Sequence, residues 1–158
     1  MNNTLEINQA LQNLLMIYAE FFKFPEKDFF EEIKRGEIDE QVKTLSELAG
    51  CSISTCFMKE VNTYEQLTES YNVCFIGIEK PFAPPIESVY KQWTVDESYQ
   101  VSFRQQRGYL MGDSAHHVRH ILKAFNLEIP IEYDLMPDHL TIILEVLAYL
   151  IGQGFLGA

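Results

Sequence analysis

The 158-residue chain is short of positive charge, of cysteine and of long apolar runs, and each shortage removes a class of function. Twelve lysines and arginines stand against 23 acids, a net charge of −11. Such a field repels nucleic acid and anionic membrane and draws in cationic partners. Cys51, Cys56 and Cys74 form an odd set without CxxC spacing, which argues against a disulfide framework and against a zinc or iron–sulfur site. They read as buried or idle thiols of a reducing compartment. The opening "MNNTLEINQALQNLL" has neither the basic stretch nor the small-residue cleavage site of a signal peptide. The apolar run Leu140 to Ile151 contains Glu145 and is too short to span a bilayer. A soluble, cytoplasmic protein is expected. No GxSxG, HExxH or glycine-rich phosphate loop occurs, and neither useful β-alternation nor an internal repeat is visible.

What is present is apolar residues at helical spacing. The chain is 47% hydrophobic and 13% aromatic, enough for one core in residues 1–158. Leu11, Leu14, Leu15, Tyr18 and Phe22 mark an amphipathic first helix that runs into Phe24-Pro25. Pro25 suits the first position of a second helix with Phe29, Phe30 and Ile33 inward and Gly36 as its stop. A third carries Ile38, Val42, Leu45 and Leu48 and ends at Gly50. Asn62 with Glu65 suggests a capping box for a fourth, through Tyr71, Cys74 and Phe75. "IGIEKPFAPPIES" then breaks the helix with an apolar, proline-dense loop of the kind that packs against something. Between Val89 and Met111 the pattern is weak. Asp113 or Ser114 caps a helix through Val118, Ile121, Leu122 and Phe125 that closes at Asn126. A hinge loop near 126–138, acidic with Glu128, Glu132 and Asp134, leads to a last helix over 138–151. The fold class is all-α.

Two clusters invite a chemical reading. In "PDH", Pro137 fits a first helical turn, Asp138 meets the positive end of the helix dipole, and His139 tends to the neutral form for the same reason. Helix-start chemistry alone explains the trio, while an acid/base pair needs a nucleophile, an oxyanion site or a metal beside it. "HHVRH" sets His116 and His120 one turn apart, a spacing that can chelate a metal. A solvated helix face explains it more simply, and Arg119 among the histidines repels a cation. The acids at 128–138 could equally be an ordinary soluble connector; their crowding at the mouth of an apolar helix, beside a histidine, gives them interest.

Three segments, in order, resemble the TorD/DmsD/NarJ family of redox-enzyme maturation chaperones. "YNVCFIG" followed by "PPIESVY" resembles the family's aromatic-x-x-Leu-Phe segment and its Pro-Pro loop. "MGDSAHHVRHILKAFNL" resembles its Gly-Asp-Ser-capped helix, and "MPDHLTIILEVLAYL" its Pro-Asp-His hinge with the helix that follows. The resemblance spans most of residues 11–151. It implies a single-domain helical bundle of the TorD-like type, here without the last helices, that is not an enzyme; no cofactor is expected, and no metal, since Arg119 and the lack of a carboxylate partner spoil the histidine cluster. It implies binding of the twin-arginine signal peptide, or the apoprotein, of a molybdopterin oxidoreductase before export. Carried over residue by residue, it makes Pro137, Asp138 and His139 the peptide-contacting hinge, and Phe75, Pro85, Tyr90 and Gly112 parts of the groove. The family often has a glutamate just before the hinge where this chain has Met136, and Glu132 or Asp134 is the available substitute.

The chemistry stands beside the resemblance. Two adjacent guanidiniums pair bidentately with carboxylates, and an apolar segment lies in a hydrophobic groove. Exposed ion pairs contribute only about 0.2–1 kcal/mol each, so the groove supplies most affinity and the acids orientation and on-rate. The alternatives are a metal-assisted hydrolase using His116, His120 and Asp138, and a generic helical adaptor. The apolar helix 138–151 has almost no polar face, and only "GQGFLGA" follows it. Uncovered, it would drive a homodimer or domain swap, or mark the chain as part of a longer protein.

Overall fold

The computed structural model describes residues 2–57, 62–77, 80–131 and 135–155. Among them are six α-helices: α1 Asn2–Glu20, α2 Lys27–Lys34, α3 Glu37–Leu48, α4 Tyr64–Tyr71, α5 Asp113–Ala124 and α6 Leu140–Gly152. Strands are absent among the described residues, where the one isolated β-bridge joins Ile86 to His139. The fold is an all-α bundle. No described helix is long and apolar enough to cross a membrane. Contacts divide the chain into two compact units, 1–83 with 144–158, and 84–143.

In the first unit, Leu14, Ile33, Ile38 and Val42 form the buried centre, with Phe21, Phe29 and Leu45 packed against it. Leu14, Phe29, Ile33, Ile38, Val42 and Leu45 are positions the 3.6-residue rhythm marks; Phe21 is not one of them, and Leu48, which the rhythm also marks, is exposed. Val42 is fully buried, and burying a side chain of that size stabilises by about 1.5–3 kcal/mol. Pro25 does not open α2. Glu26 is the N-cap in extended backbone and the helix starts at Lys27. Pro25 is buried instead, and its carbonyl accepts the Tyr64 hydroxyl at 2.9 Å. Gly36 takes φ +76° as the residue that joins α2 to α3, a left-handed conformation that glycine adopts without steric cost.

The cap of α4 is displaced by one residue from the sequence expectation. Thr63 is the N-cap and accepts from the Gln66 amide at 3.2 Å, while the Gln66 side chain accepts from the Asn62 amide at 2.9 Å. The helix then widens into a π-turn, Asn72–Ile76, and stops at Gly77 with φ +85°. Tyr71 packs edge-on against Phe75 and Phe24, with ring centroids 5.1 and 5.4 Å apart. Its hydroxyl donates to the Phe22 carbonyl at 3.0 Å.

From Asp138 to Ile151 no residue is exposed. Thr141, Ile142, Val146 and Ala148 are buried and the other apolar residues of α6 are half-buried; association through this helix stays an expectation. Part of the helix's cover is visible in the first unit. Glu145 of α6 meets Lys23 at 3.0 Å, and Lys23 also holds Glu20 at 2.6 Å. Burial works against the lysine charge, but the two glutamates outweigh it and hold its pKa above the ordinary lysine value.

In the second unit, α5 buries Ala115, Val118 and Leu122 and packs against a 3-10 turn, Glu87–Val89. The segment 93–113, weak in the sequence, is ordered by backbone bonds between distant residues. The Trp93 amide donates to Gln106 and the Thr94 amide to Arg104, at 3.1 and 3.0 Å. Trp93, Phe103 and Tyr109 add ring contacts at 5.1 and 4.6 Å.

Candidate functional site

The end of the proline-dense loop, from Pro84 on, and the Pro-Asp-His turn lie against each other in the second unit. The turn begins at Met136, whose carbonyl accepts the His139 amide at 2.9 Å. This closes a four-residue turn with Pro137 at its second position, where a fixed φ is favourable. Helix α6 starts after the turn, so Pro137 and Asp138 precede the helix rather than open it. His139 is the residue before α6. Its carbonyl accepts the Ile143 amide at 3.1 Å, and its Nδ1 accepts the Thr141 amide at 3.2 Å. That is an N-cap made by an imidazole. It requires Nδ1 without a proton, and burial pushes the His139 pKa down, with neighbouring Asp138 opposing in part.

A strap, residues 84–89, runs antiparallel to this turn. The Leu140 amide donates to the Pro85 carbonyl at 2.8 Å and the Glu87 amide to the Asp138 carbonyl at 3.1 Å. Asp138 is wholly buried. Its Oδ2 accepts from the Ser88 amide at 2.7 Å and from the Ser88 hydroxyl. Its Oδ1 is buried and has no hydrogen-bond partner. A carboxylate that accepts a backbone amide and a hydroxyl makes strong, charge-assisted bonds, and these tie two segments fifty residues apart. Asp138 therefore faces Ser88 and not the solvent in which an arginine would meet it.

The other residues marked in the sequence divide. Pro85 is half-buried and bonded to Leu140, as above. Tyr90 is half-exposed, and its hydroxyl donates to the Pro84 carbonyl at 3.0 Å. Gly112 is a buried N-cap of α5 without a side-chain cap. Asp113 does not cap the helix either, because its carboxylate accepts the Val95 amide at 2.9 Å; the Ser114 hydroxyl is buried without a partner. Phe75 belongs to the first unit, edge-on to Tyr71 and tilted against Phe22. Glu132 and Asp134 lie outside the described residues. Ser88 was not marked as a site residue from the sequence. Its signal was its place at the end of "PPIES", and its partner is known only once the chain is folded.

Beside the turn is a cleft of about 740 Å³ lined by Leu127, Ile129, Leu135, Met136 and Pro137. Glu128 contributes an acid to its wall, and Arg119 and Lys123 contribute bases. Its wall is mixed, with apolar side chains beside one acid and two bases. His116 and His120 lie elsewhere, exposed on α5, in an open cleft of about 790 Å³ with Lys91 and Arg107. Among the described residues no three His, Cys, Asp or Glu side chains converge as a metal site requires. The triple His116, His120 and Asp138 is therefore not assembled: the histidines are exposed on α5 while Asp138 is buried against Ser88.

The family model described as nitrate reductase delta subunit matches residues 34–158. The chain belongs to this family. It is the NarJ/TorD-type chaperone family that the three sequence segments resemble. A crystal structure from Archaeoglobus fulgidus, described as a redox enzyme maturation protein, superposes with a TM-score of 0.51. The superposition covers 92% of this chain and 72% of that one at 18% identity, so it speaks for the fold alone. Comparison with curated proteins gives no match. Within the delta-subunit family model lie the strap, the Gly112 cap and the Pro-Asp-His turn, each inside residues 34–158.

Proposed function

We propose that this chain is a cytoplasmic chaperone, without catalytic activity, for a molybdopterin oxidoreductase. It binds the enzyme's twin-arginine signal peptide or apoprotein and holds it until the cofactor is loaded. Membership of the NarJ/TorD-type family over most of the chain carries this reading. The second unit adds chemistry suited to it. Leu127, Ile129, Leu135 and Met136 give the cleft an apolar side, among polar neighbours, that a signal peptide's hydrophobic stretch would touch. Asp138, next in the chain to Pro137 of that cleft, is the acid we assign to a guanidinium. The chain's net charge of −11 favours encounter with such a cationic segment. By family resemblance Pro85, Tyr90, Gly112 and His139 of the second unit are assigned to peptide binding, and Phe75 of the first unit and the acids Glu132 and Asp134 keep the same assignment.

Co-expression tests the reading. A carrier protein bearing a twin-arginine leader should co-elute with this chain on gel filtration, and a carrier with both arginines changed to glutamine should not. Equal co-elution of the two carriers, or of neither, would contradict it.

A further inference from the structure

We infer that Ser88 is a latch on Asp138, and that a guanidinium of the client displaces Ser88 from the carboxylate when it binds. The inference rests on the function proposed above and concerns how that site is opened.

Both donors to the Asp138 side chain come from this one residue, its amide and its hydroxyl, and both go to Oδ2. The second oxygen, Oδ1, is buried and unpartnered. A buried carboxylate oxygen without a donor is an unfavourable arrangement, and an arginine fork supplies what is missing, two parallel N–H donors for two oxygens. A water or lysine would offer no such matched pair. With Asp138 wholly buried, the fork cannot reach it unless the strap yields. Pro84 and Pro85 have no amide hydrogen to donate, so besides the Ser88 contact the described backbone bonds between strap and turn are two, Leu140 to Pro85 and Glu87 to Asp138, both on the N-terminal side of Ser88.

A site open only part of the time binds with an apparent affinity reduced by the open fraction. Ser88 thus opposes binding, and weakening it should tighten the complex. In a twin-arginine peptide titration, Ser88→Ala, which keeps the amide and removes the hydroxyl, should bind at least about threefold tighter than the native chain. Ser88→Thr, which keeps the hydroxyl, should bind as the native chain does. Hydrogen exchange of the native chain provides a measurement independent of either variant. The Ser88 amide should exchange faster with peptide bound than without, because its acceptor has been taken.

Unchanged or weaker binding by a well-folded Ser88→Ala, while the native chain binds, would overturn the latch and leave the proposed function standing. Greater protection of the Ser88 amide on binding would do the same, even if the variant failed to fold. Absence of peptide binding by the native chain would remove both.

Discussion

A β-carbon placed on Gly112 would stand 2.5 Å from the carbonyl oxygen of Trp93. That carbonyl cannot easily withdraw, since it accepts the Asp113 amide at 2.8 Å and so fixes the start of α5 to the segment before it. Glycine is required here by close approach, at an ordinary negative φ of −77°. Gly112→Ala should therefore lose about 1–3 kcal/mol, the range for overpacking a well-filled site. A lower urea midpoint with an unchanged slope is the expected result. A midpoint equal to that of the native chain would show that the Trp93 segment gives way freely.

The imidazole cap of α6 makes stability depend on pH. Burial holds the His139 pKa below its ordinary 6.5, so as pH falls the unfolded chain takes up this proton before the folded one. The contribution of this group is full above 6.5, is lost progressively as pH falls toward the folded value, and is constant below that. Stability should thus rise with pH across this interval. His139→Asn keeps a capping acceptor that does not titrate, and its urea midpoint should show a shallower rise over the same range. Identical pH profiles for the two proteins would remove His139 as the titrating group.

Asp138→Ala strands the Ser88 amide and hydroxyl in the interior, and each buried donor left without a partner costs about 1–3 kcal/mol. Asp138→Asn retains an acceptor for Ser88 and can turn its amide group toward the position of Oδ1. The alanine variant should melt well below the native chain, and the asparagine variant should stay nearer to it. If both melted alike, the Ser88 contact would carry little of the hinge's stability.

Lys23 joins α1 to α6 within the first unit through Glu20 and Glu145. Lys23→Met preserves the stem but leaves the glutamates without that counter-charge. A loss of about 1–2 kcal/mol is expected, between the values for exposed and fully buried pairs. High salt should reduce the difference from the native chain; a difference indifferent to salt would point to packing instead.

Much of the helical frame was legible before folding. Leu14, Ile33, Ile38 and Val42 each belong to the i, i+3, i+4 apolar pattern of their own helix, and these four form the centre of the first unit. The ends of helices were less legible, because a cap is decided by where the side chain finds a donor. Asp113 reads as a cap but is claimed by Val95, and Pro25 reads as a helix start but is claimed by Tyr64. The segment 93–113 has no periodicity because its order comes from backbone pairs such as Thr94 with Arg104, which leave no pattern of side-chain types. At the site, Asp138 and His139 stood out as polar residues at the mouth of an apolar helix. Their physical state did not. The sequence suggested an acid facing a helix dipole and open to a partner, whereas Ser88, fifty residues earlier, holds it in the interior.

The central claim is that this chain recognises adjacent arginines ahead of an apolar stretch. Isothermal titration with a synthetic twin-arginine signal peptide tests it most directly, beside the same peptide with both arginines replaced by glutamine. The account predicts affinity in the micromolar range, about −8 kcal/mol, for the arginine peptide, weakening as salt is raised, and much weaker binding of the glutamine peptide. Equal affinity for the two peptides, or no heat from either, would contradict it.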